Sequence, residues 1–207
     1  MRDSIYPQMK IIETKDFILR PIRLSDARDL FEYYKQDIVV KYLPFHAHKS
    51  ISETKKFINT FFIKNYRGGK VGHLAIVSKK DKKVIGNIGP NNLEIGTKQG
   101  ELGICINPEY WGGDISKITT VCILSYVFDY LNMDKAIAVT YEDNKYTPKL
   151  LSNTGFKYIQ SINKKISKGI THNNVVSHVY EISRDEYRIN KSKGMYSKIL
   201  AQIKLYK

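Results

Sequence analysis

Between Leu102 and Leu131 the chain changes character twice. An apolar run from Leu102 to Ile106 gives way to PEYWGGDISK, residues 108–117, and that stretch opens into an apolar-striped segment that reaches Leu131. A strand, a tight glycine turn and a helix start therefore meet within a few residues. Glycines let a main chain pass close to another group. The first turn of a helix carries unpaired N–H groups and the positive end of its dipole. Together these features predict an anion cradle. Asp114 stands in its middle, where a carboxylate repels an incoming anion and competes for the same N–H groups.

Periodicity supplies the other elements. FILRPI (17–22) alternates as a strand does, and LSDARDLFEYYKQ follows with Ser25 as N-cap and Ala27, Leu30, Phe31 and Tyr34 at helical spacing. Ser50 and Glu53 form a capping-box pattern before the apolar face Phe57, Ile58, Phe61 and Phe62. HLAIVSK and KVIGNIG read as a hairpin joined by KDKK, PNNLEIGTKQG as a loop or poorly formed strand, and ELGICI as a strand. A long helix over ISKITTVCILSYVFDYL leads to the strand KAIAVTY. NKYTPKLLSNTGF is a short helix stopped at Gly155, and KYIQSI and VVSHVYEI close the domain. This order predicts an α/β (or α+β) mixed, mostly antiparallel sheet with helices on both faces.

Beyond Tyr187 the chain turns basic, with Arg188, Lys191, Lys193, Lys198, Lys204 and Lys207 and no acidic residue. Met195, Ile199, Ile203 and Tyr206 share a helical face. Residues 188–207 thus read as a basic helical extension, packed on the domain 1–187 or on a twin subunit in a homodimer. The net charge of +14 favours anionic partners, with a nucleic-acid or ribosome contact among them, although a lysine-rich genome bias produces the same total. No apolar stretch approaches the length of a membrane span, and the first residues lack a secretory apolar region. Cys105 and Cys122 sit in apolar stretches as buried free thiols, so a cytoplasmic setting is expected. His46 and His48 lie two apart with no third ligand nearby, so no metal is expected.

The run ELGICINPEYWGGDIS, with VTYEDNKYTPKLLSNTGF after it, resembles the GNAT superfamily of acyl-CoA N-acetyltransferases. Within it the chain is similar to the ribosomal-protein N-terminal acetyltransferases (the RimJ/RimL-like branch). The resemblance covers roughly residues 9 to 187 and implies a central sheet with a splayed strand pair, acetyl-CoA as co-substrate and a primary amine as acceptor. It places the pantetheine arm between the strands ELGICIN and KAIAVTY, paired with main chain at Ile104, Cys105 and Ile106. It also places the pyrophosphate on the loop of Trp111, Gly112, Gly113, Asp114, Ile115 and Ser116. Asp114 replaces a family glycine there. Aspartate is among the non-glycine residues that enter the left-handed region most readily, and main-chain donation survives the exchange. Asn144 matches the asparagine that contacts the cofactor arm, and it also suits the turn EDNK. Lys149 reaches a CoA phosphate or stays solvated.

The resemblance further implies the catalysts. Glu101, at the start of the cofactor strand, would take the amine proton, or be a strand-edge carboxylate paired with a lysine. Many family members carry a tyrosine acid where this chain has Leu151, so that acid is absent. The ribosomal branch has a serine where Thr147 stands, which makes Thr147 the donor to the leaving sulfur; before Pro148 it is also a good N-cap. SINKKISKG lacks the acidic residue common in that branch. Its basic rim disfavours a polycation such as spermidine and suits a neutral or acidic acceptor. The alternative reading is a catalytically weakened CoA-binding or adaptor module.

Overall fold

Alternating and 3.6-residue apolar patterns build nine strands and eight α-helices among the described residues, which are 9–68, 70–94, 97–168 and 171–206 of this computed structural model. The strands are β1 (Ile11–Glu13), β2 (Phe17–Pro21), β3 (Leu74–Ser78), β4 (Lys83–Glu94), β5 (Gln99–Ile106), β6 (Lys135–Tyr141), β7 (Lys157–Lys168), β8 (Thr171–Ser183) and β9 (Lys204–Tyr206). The helices are α1 (Ala27–Tyr34), α2 (Asp37–Val40), α3 (Ile51–Phe57), α4 (Lys64–Arg67), α5 (Ile115–Ser125), α6 (Thr147–Asn153), α7 (Arg184–Ser192) and α8 (Ser197–Leu200). They surround one sheet in the order β7-β8-β6-β5-β4-β3-β2-β1-β9. β5 and β6 are parallel, joined by the α5 crossover, and the other neighbouring pairs described are antiparallel. This is the mixed, mostly antiparallel architecture that the sequence pattern predicts.

Several local expectations are revised. Asp26, not Ser25, is the residue that precedes α1, and its side chain makes no capping bond to that helix. Its carboxylate accepts from the Arg23 N–H at 2.8 Å and takes both Arg20 guanidinium nitrogens at 2.8 Å. Ser50 does cap α3, accepting from Glu53 N–H at 3.1 Å, but Glu53 reaches back to Lys49 N–H rather than closing the box on Ser50. PNNLE is strand rather than loop: β4 runs through it with a bulge that leaves Asn91 unpaired between Pro90↔Leu102 and Asn92↔Glu101. The tail is not one helix. α7 and α8 are followed by β9, which pairs with β1 at the sheet edge, and Tyr196 is buried in the same core as Tyr187. The stripe expected along it divides, because Met195 is exposed while Ile199 and Ile203 pack inward. No helix among the described residues is long and apolar enough to cross a membrane.

The core is rich in tyrosine, and each buried ring must place its hydroxyl. Tyr33 and Tyr34 donate to Asn87, Tyr66 to the His73 carbonyl, Tyr187 to Asp129 and Tyr196 to the Thr154 carbonyl. That last bond locks the turn after α6. There Gly155 has φ +93°, Phe156 N–H donates to Leu151 O at 3.0 Å and Gly155 N–H to Ser152 O at 3.1 Å, a Schellman ending with Leu151 and Phe156 both buried. A Cβ on Gly155 would lie 2.4 Å from Asn190 Nδ2 and 2.7 Å from the Tyr196 hydroxyl. The left-handed backbone alone costs another residue about 1–2 kcal/mol. Gly155→Ala is therefore expected to lower stability by at least about 2 kcal/mol, read as a lower urea midpoint with unchanged m.

Candidate active site

β5 and β6 part company almost as soon as they meet. Their register is Gln99↔Lys135, Gly100↔Ala136 and Glu101↔Ile137, and it stops there. Beyond it β5 stays paired to β4 as far as Ile106, and β6 stays paired to β8 as far as Tyr141. A gap therefore opens between Leu102–Ile106 and Ala138–Tyr141. Strand alternation decides which main-chain groups face it. Asn107 N–H donates to Ile85 O at 2.8 Å, and Leu102 sits opposite Pro90, which has no N–H to share. Odd-numbered residues of β5 thus bond to β4, and Leu102, Ile104 and Ile106 turn their main chain toward the gap. Of the three residues expected to pair with the cofactor arm, Ile104 and Ile106 turn to the gap and Cys105 points to β4. The Ile106 carbonyl accepts from the Trp111 indole N–H at 2.8 Å.

The loop at the wide end carries PEYWGGDIS. Asn107 caps its first turn, accepting from Glu109 N–H at 3.2 Å, and the Tyr110 hydroxyl ties it to Asp81 on the β3–β4 hairpin at 3.0 Å. Tyr110 is thereby a tether. Trp111 is 47% exposed and faces Tyr146, itself 79% exposed, across a centroid distance of 6.4 Å. The positive φ of the loop, +85°, falls on Gly112, while Asp114 has an ordinary φ of −81°. The aspartate therefore needs no left-handed excursion. It precedes Ile115 and Ser116 as the N-cap residue of α5, yet its side chain makes no capping hydrogen bond. The first-turn N–H groups of α5 are not satisfied by that carboxylate. A Cβ built on Gly112 or Gly113 meets nothing within 4 Å, so the loop fronts open space.

On the β6 side, Asn144 caps α6. Its Oδ1 accepts from Tyr146 N–H at 3.1 Å and Thr147 N–H at 3.2 Å, and its Nδ2 donates to Thr147 Oγ1 at 2.9 Å. Thr147 is the first helical residue rather than the cap, and its hydroxyl hydrogen is left to donate elsewhere. Lys149 is exposed on the next turn, and Leu151 is buried in the core. Tyr42 and Lys41, at the end of α2, reach across to Asp143 at 3.2 and 3.3 Å and pin the loop that carries Asn144.

Glu101 stands at the point of divergence, half-buried. Among the described residues it is not paired with a lysine; its Oε1 accepts from Asn91 Nδ2 at 3.3 Å. Asn91 Oδ1 lies 2.7 Å from His73 Nε2, and His73 Nδ1 lies 2.9 Å from Asn87 Nδ2. Asn87 Oδ1 takes the hydroxyls of Tyr33 and Tyr34 at 3.0 and 2.8 Å. His73 is thus the satisfied histidine its strand position suggests. Asn87 and Asn91 carried no motif signal; the proline at position 90 inside an apolar run was the available hint of a bulge. Burial pushes the Cys105 thiol well up and the Cys122 thiol up to about 12, so both are neutral. His48 is buried against Thr54 Oγ1 at 2.9 Å, and no cluster that could hold a metal occurs among the described residues.

Burial also depresses His73, from the usual 6.5 to about 4. The unfolded chain then takes the proton first as pH falls. This contribution to stability is fully present above about pH 6.5 and is lost toward pH 4, amounting to about 3 kcal/mol. Denaturant midpoints are expected to drop from about pH 7 to about pH 4.5, with His73→Gln showing a shallower drop; equal slopes in the two proteins would contradict this.

Residues 16–157 match the acetyltransferase (GNAT) domain family. The uncharacterized N-acetyltransferase YoaA of Bacillus subtilis (strain 168) is 31% identical over 149 residues, spanning 71% of this chain and 82% of the relative. Two solved structures share the fold at lower identity. The spermidine N-acetyltransferase of Vibrio cholerae, in complex with CoA and spermine, superposes with a TM-score of 0.70 at 19% identity, over 83% of this chain and 98% of its own. The ribosomal-protein-S5-alanine acetyltransferase of Vibrio fischeri does so with a TM-score of 0.71 at 17% identity, over 86% and 98%. The chain belongs to the GNAT family and is an acetyl-CoA-dependent acyltransferase.

Proposed function

We propose that the protein transfers an acetyl group from acetyl-CoA directly to a primary amine, with both substrates bound together. The observation that carries this reading is the inward-turned Ile104 main chain, which faces a gap where β6 supplies no partner. Acetyl-CoA supplies the activated thioester. The first-turn N–H groups of α5 and the open loop at Gly112 and Gly113 hold its diphosphate, the edge of β5 pairs with its pantetheine arm, and Asn144 and Lys149 flank it from the β6 side. Ile104 N–H faces the carbonyl oxygen as charge develops there. Glu101 takes the amine proton, directly or through one water. Thr147, whose oxygen is engaged by Asn144, donates its hydroxyl hydrogen to the departing sulfur.

The acceptor is a peptide N-terminal amine or a small neutral or acidic amine, as the exposed Lys164 and Lys165 on β7 repel polycations. A hydroxyl at Thr147 keeps the link to the ribosomal-protein branch. A second reading, a CoA-binding module without turnover, is favoured by one observation: Leu151, in the position of the common tyrosine acid, is buried in the core.

Thiol release from acetyl-CoA over N-terminal peptides, amino acids, polyamines and aminoglycosides separates the readings. The transferase reading expects turnover that falls at least about 100-fold in Glu101→Gln. It expects a fall of about tenfold in Thr147→Ala, with Thr147→Ser retaining most of the rate. Asp114→Gly is expected to tighten acetyl-CoA binding by roughly fivefold, since a solvated carboxylate near a diphosphate costs about 1 kcal/mol. Binding without turnover selects the module; no binding at near-millimolar acetyl-CoA overturns both.

A further inference from the structure

One continuous run of side chains links the core to Glu101, and one self-consistent direction of donation runs through it. The Tyr33 and Tyr34 hydroxyls both donate to Asn87 Oδ1. That assigns Asn87 Nδ2 as the group facing His73 Nδ1, so Nδ1 must accept. The ring hydrogen then resides on Nε2 and is donated to Asn91 Oδ1. Asn91 is left to present its Nδ2 to Glu101 Oε1. The opposite tautomer would turn the carboxamide over and set its oxygen against the carboxylate.

The backbone is arranged around this run. Asn91 is the extra residue of the β4 bulge, and bulges re-aim side chains next to active sites. Its carboxamide lies over Gly103, where a Cβ would stand 2.8 Å from Nδ2 and 3.0 Å from Oδ1. The glycine of the Glu-Leu-Gly motif thus has a physical reason: it clears the floor on which Asn91 spans from His73 to Glu101. Burial keeps His73 neutral, as its two hydrogen bonds require.

We propose that Asn91, oriented by His73, is a positioning residue that holds one carboxylate oxygen of Glu101 so that the other is presented to the acceptor amine. This rests on Glu101 being the base. Asn91 is exposed and touches the reaction only through Glu101, so its removal changes turnover rather than cofactor binding, at the cost of the acceptor for the His73 Nε2–H. Asn91→Asp keeps the shape of the side chain but replaces the donor by an acceptor. Gly103→Ala leaves Asn91 in the sequence but displaces it.

The test is a double-mutant cycle on thiol-release kinetics, with acetyl-CoA affinity by calorimetry and thermal midpoints alongside. Asn91→Ala is expected to lower kcat about tenfold, with the acetyl-CoA dissociation constant changed less than about twofold and the protein still folded at the assay temperature. Asn91→Asp should lose at least as much, which a space-filling role would not produce. Gly103→Ala should mimic Asn91→Ala and add nothing to it. In the Glu101→Gln background, Asn91→Ala should have no further effect. Full kcat in both Asn91 variants, or an Asn91 effect that persists without Glu101, overturns the positioning role while leaving Glu101 as base. An unimpaired Glu101→Gln removes the base and the positioning role together.

Discussion

The parting of β5 from β6 after Glu101↔Ile137 is the constraint on which the site depends. It follows from competition for partners. Each strand is bonded along its outer edge, β5 to β4 and β6 to β8, and the two outer neighbours carry them apart. Main-chain groups on the inner edges are then left facing each other across a gap too wide to close, and such groups need a partner. The Trp111 indole satisfies the Ile106 carbonyl and marks the wide end. At the narrow end, Asp134 N–H on Lys98 O at 2.8 Å keeps the strands together. Between these two fixed points the inner edge of β5 has no strand partner.

The two halves of the site are built from different materials. On the proposed reading the cofactor side is mostly main chain: a strand edge, a glycine turn and the first turn of α5. Asp114 occupies ordinary backbone space there and does not spend its carboxylate on the helix. The proposed acceptor side is mostly side chain: Glu101 with the asparagine–histidine–asparagine run behind it. That half tolerates little, since each donor fixes the direction of the next. Its inner end is held by Tyr33 and Tyr34, so the packing of α1 on the sheet reaches as far as the carboxylate.

The sequence showed much of this and missed some of it for definable reasons. Strand and helix periods located the central elements, and PEYWGGDIS located the turn, because those signals are local. Register is not local. The bulge at Asn91, the bond direction of Ile104 against Cys105, and the edge strand β9 all depend on which strand lies alongside, and no periodicity reports that. Capping was misread twice: Ser25 lies inside a short turn that precedes α1, where the Asp26 carboxylate goes to Arg23 N–H and Arg20, and Asn144 displaced Thr147 because it reaches two N–H groups at once. The expectation that Asp114 would adopt a left-handed backbone failed because the turn puts its positive φ two residues earlier, on Gly112.

Amide hydrogen exchange at Ile104, with and without acetyl-CoA, tests the open strand edge most directly. The account predicts a fast-exchanging Ile104 amide in the free protein, between slow neighbours at Gly103 and Cys105, and marked protection of Ile104 when acetyl-CoA is added. An Ile104 amide already protected in the free protein, or one indifferent to acetyl-CoA, would show that the strands are not parted as described or that the parted edge does not receive the co-substrate.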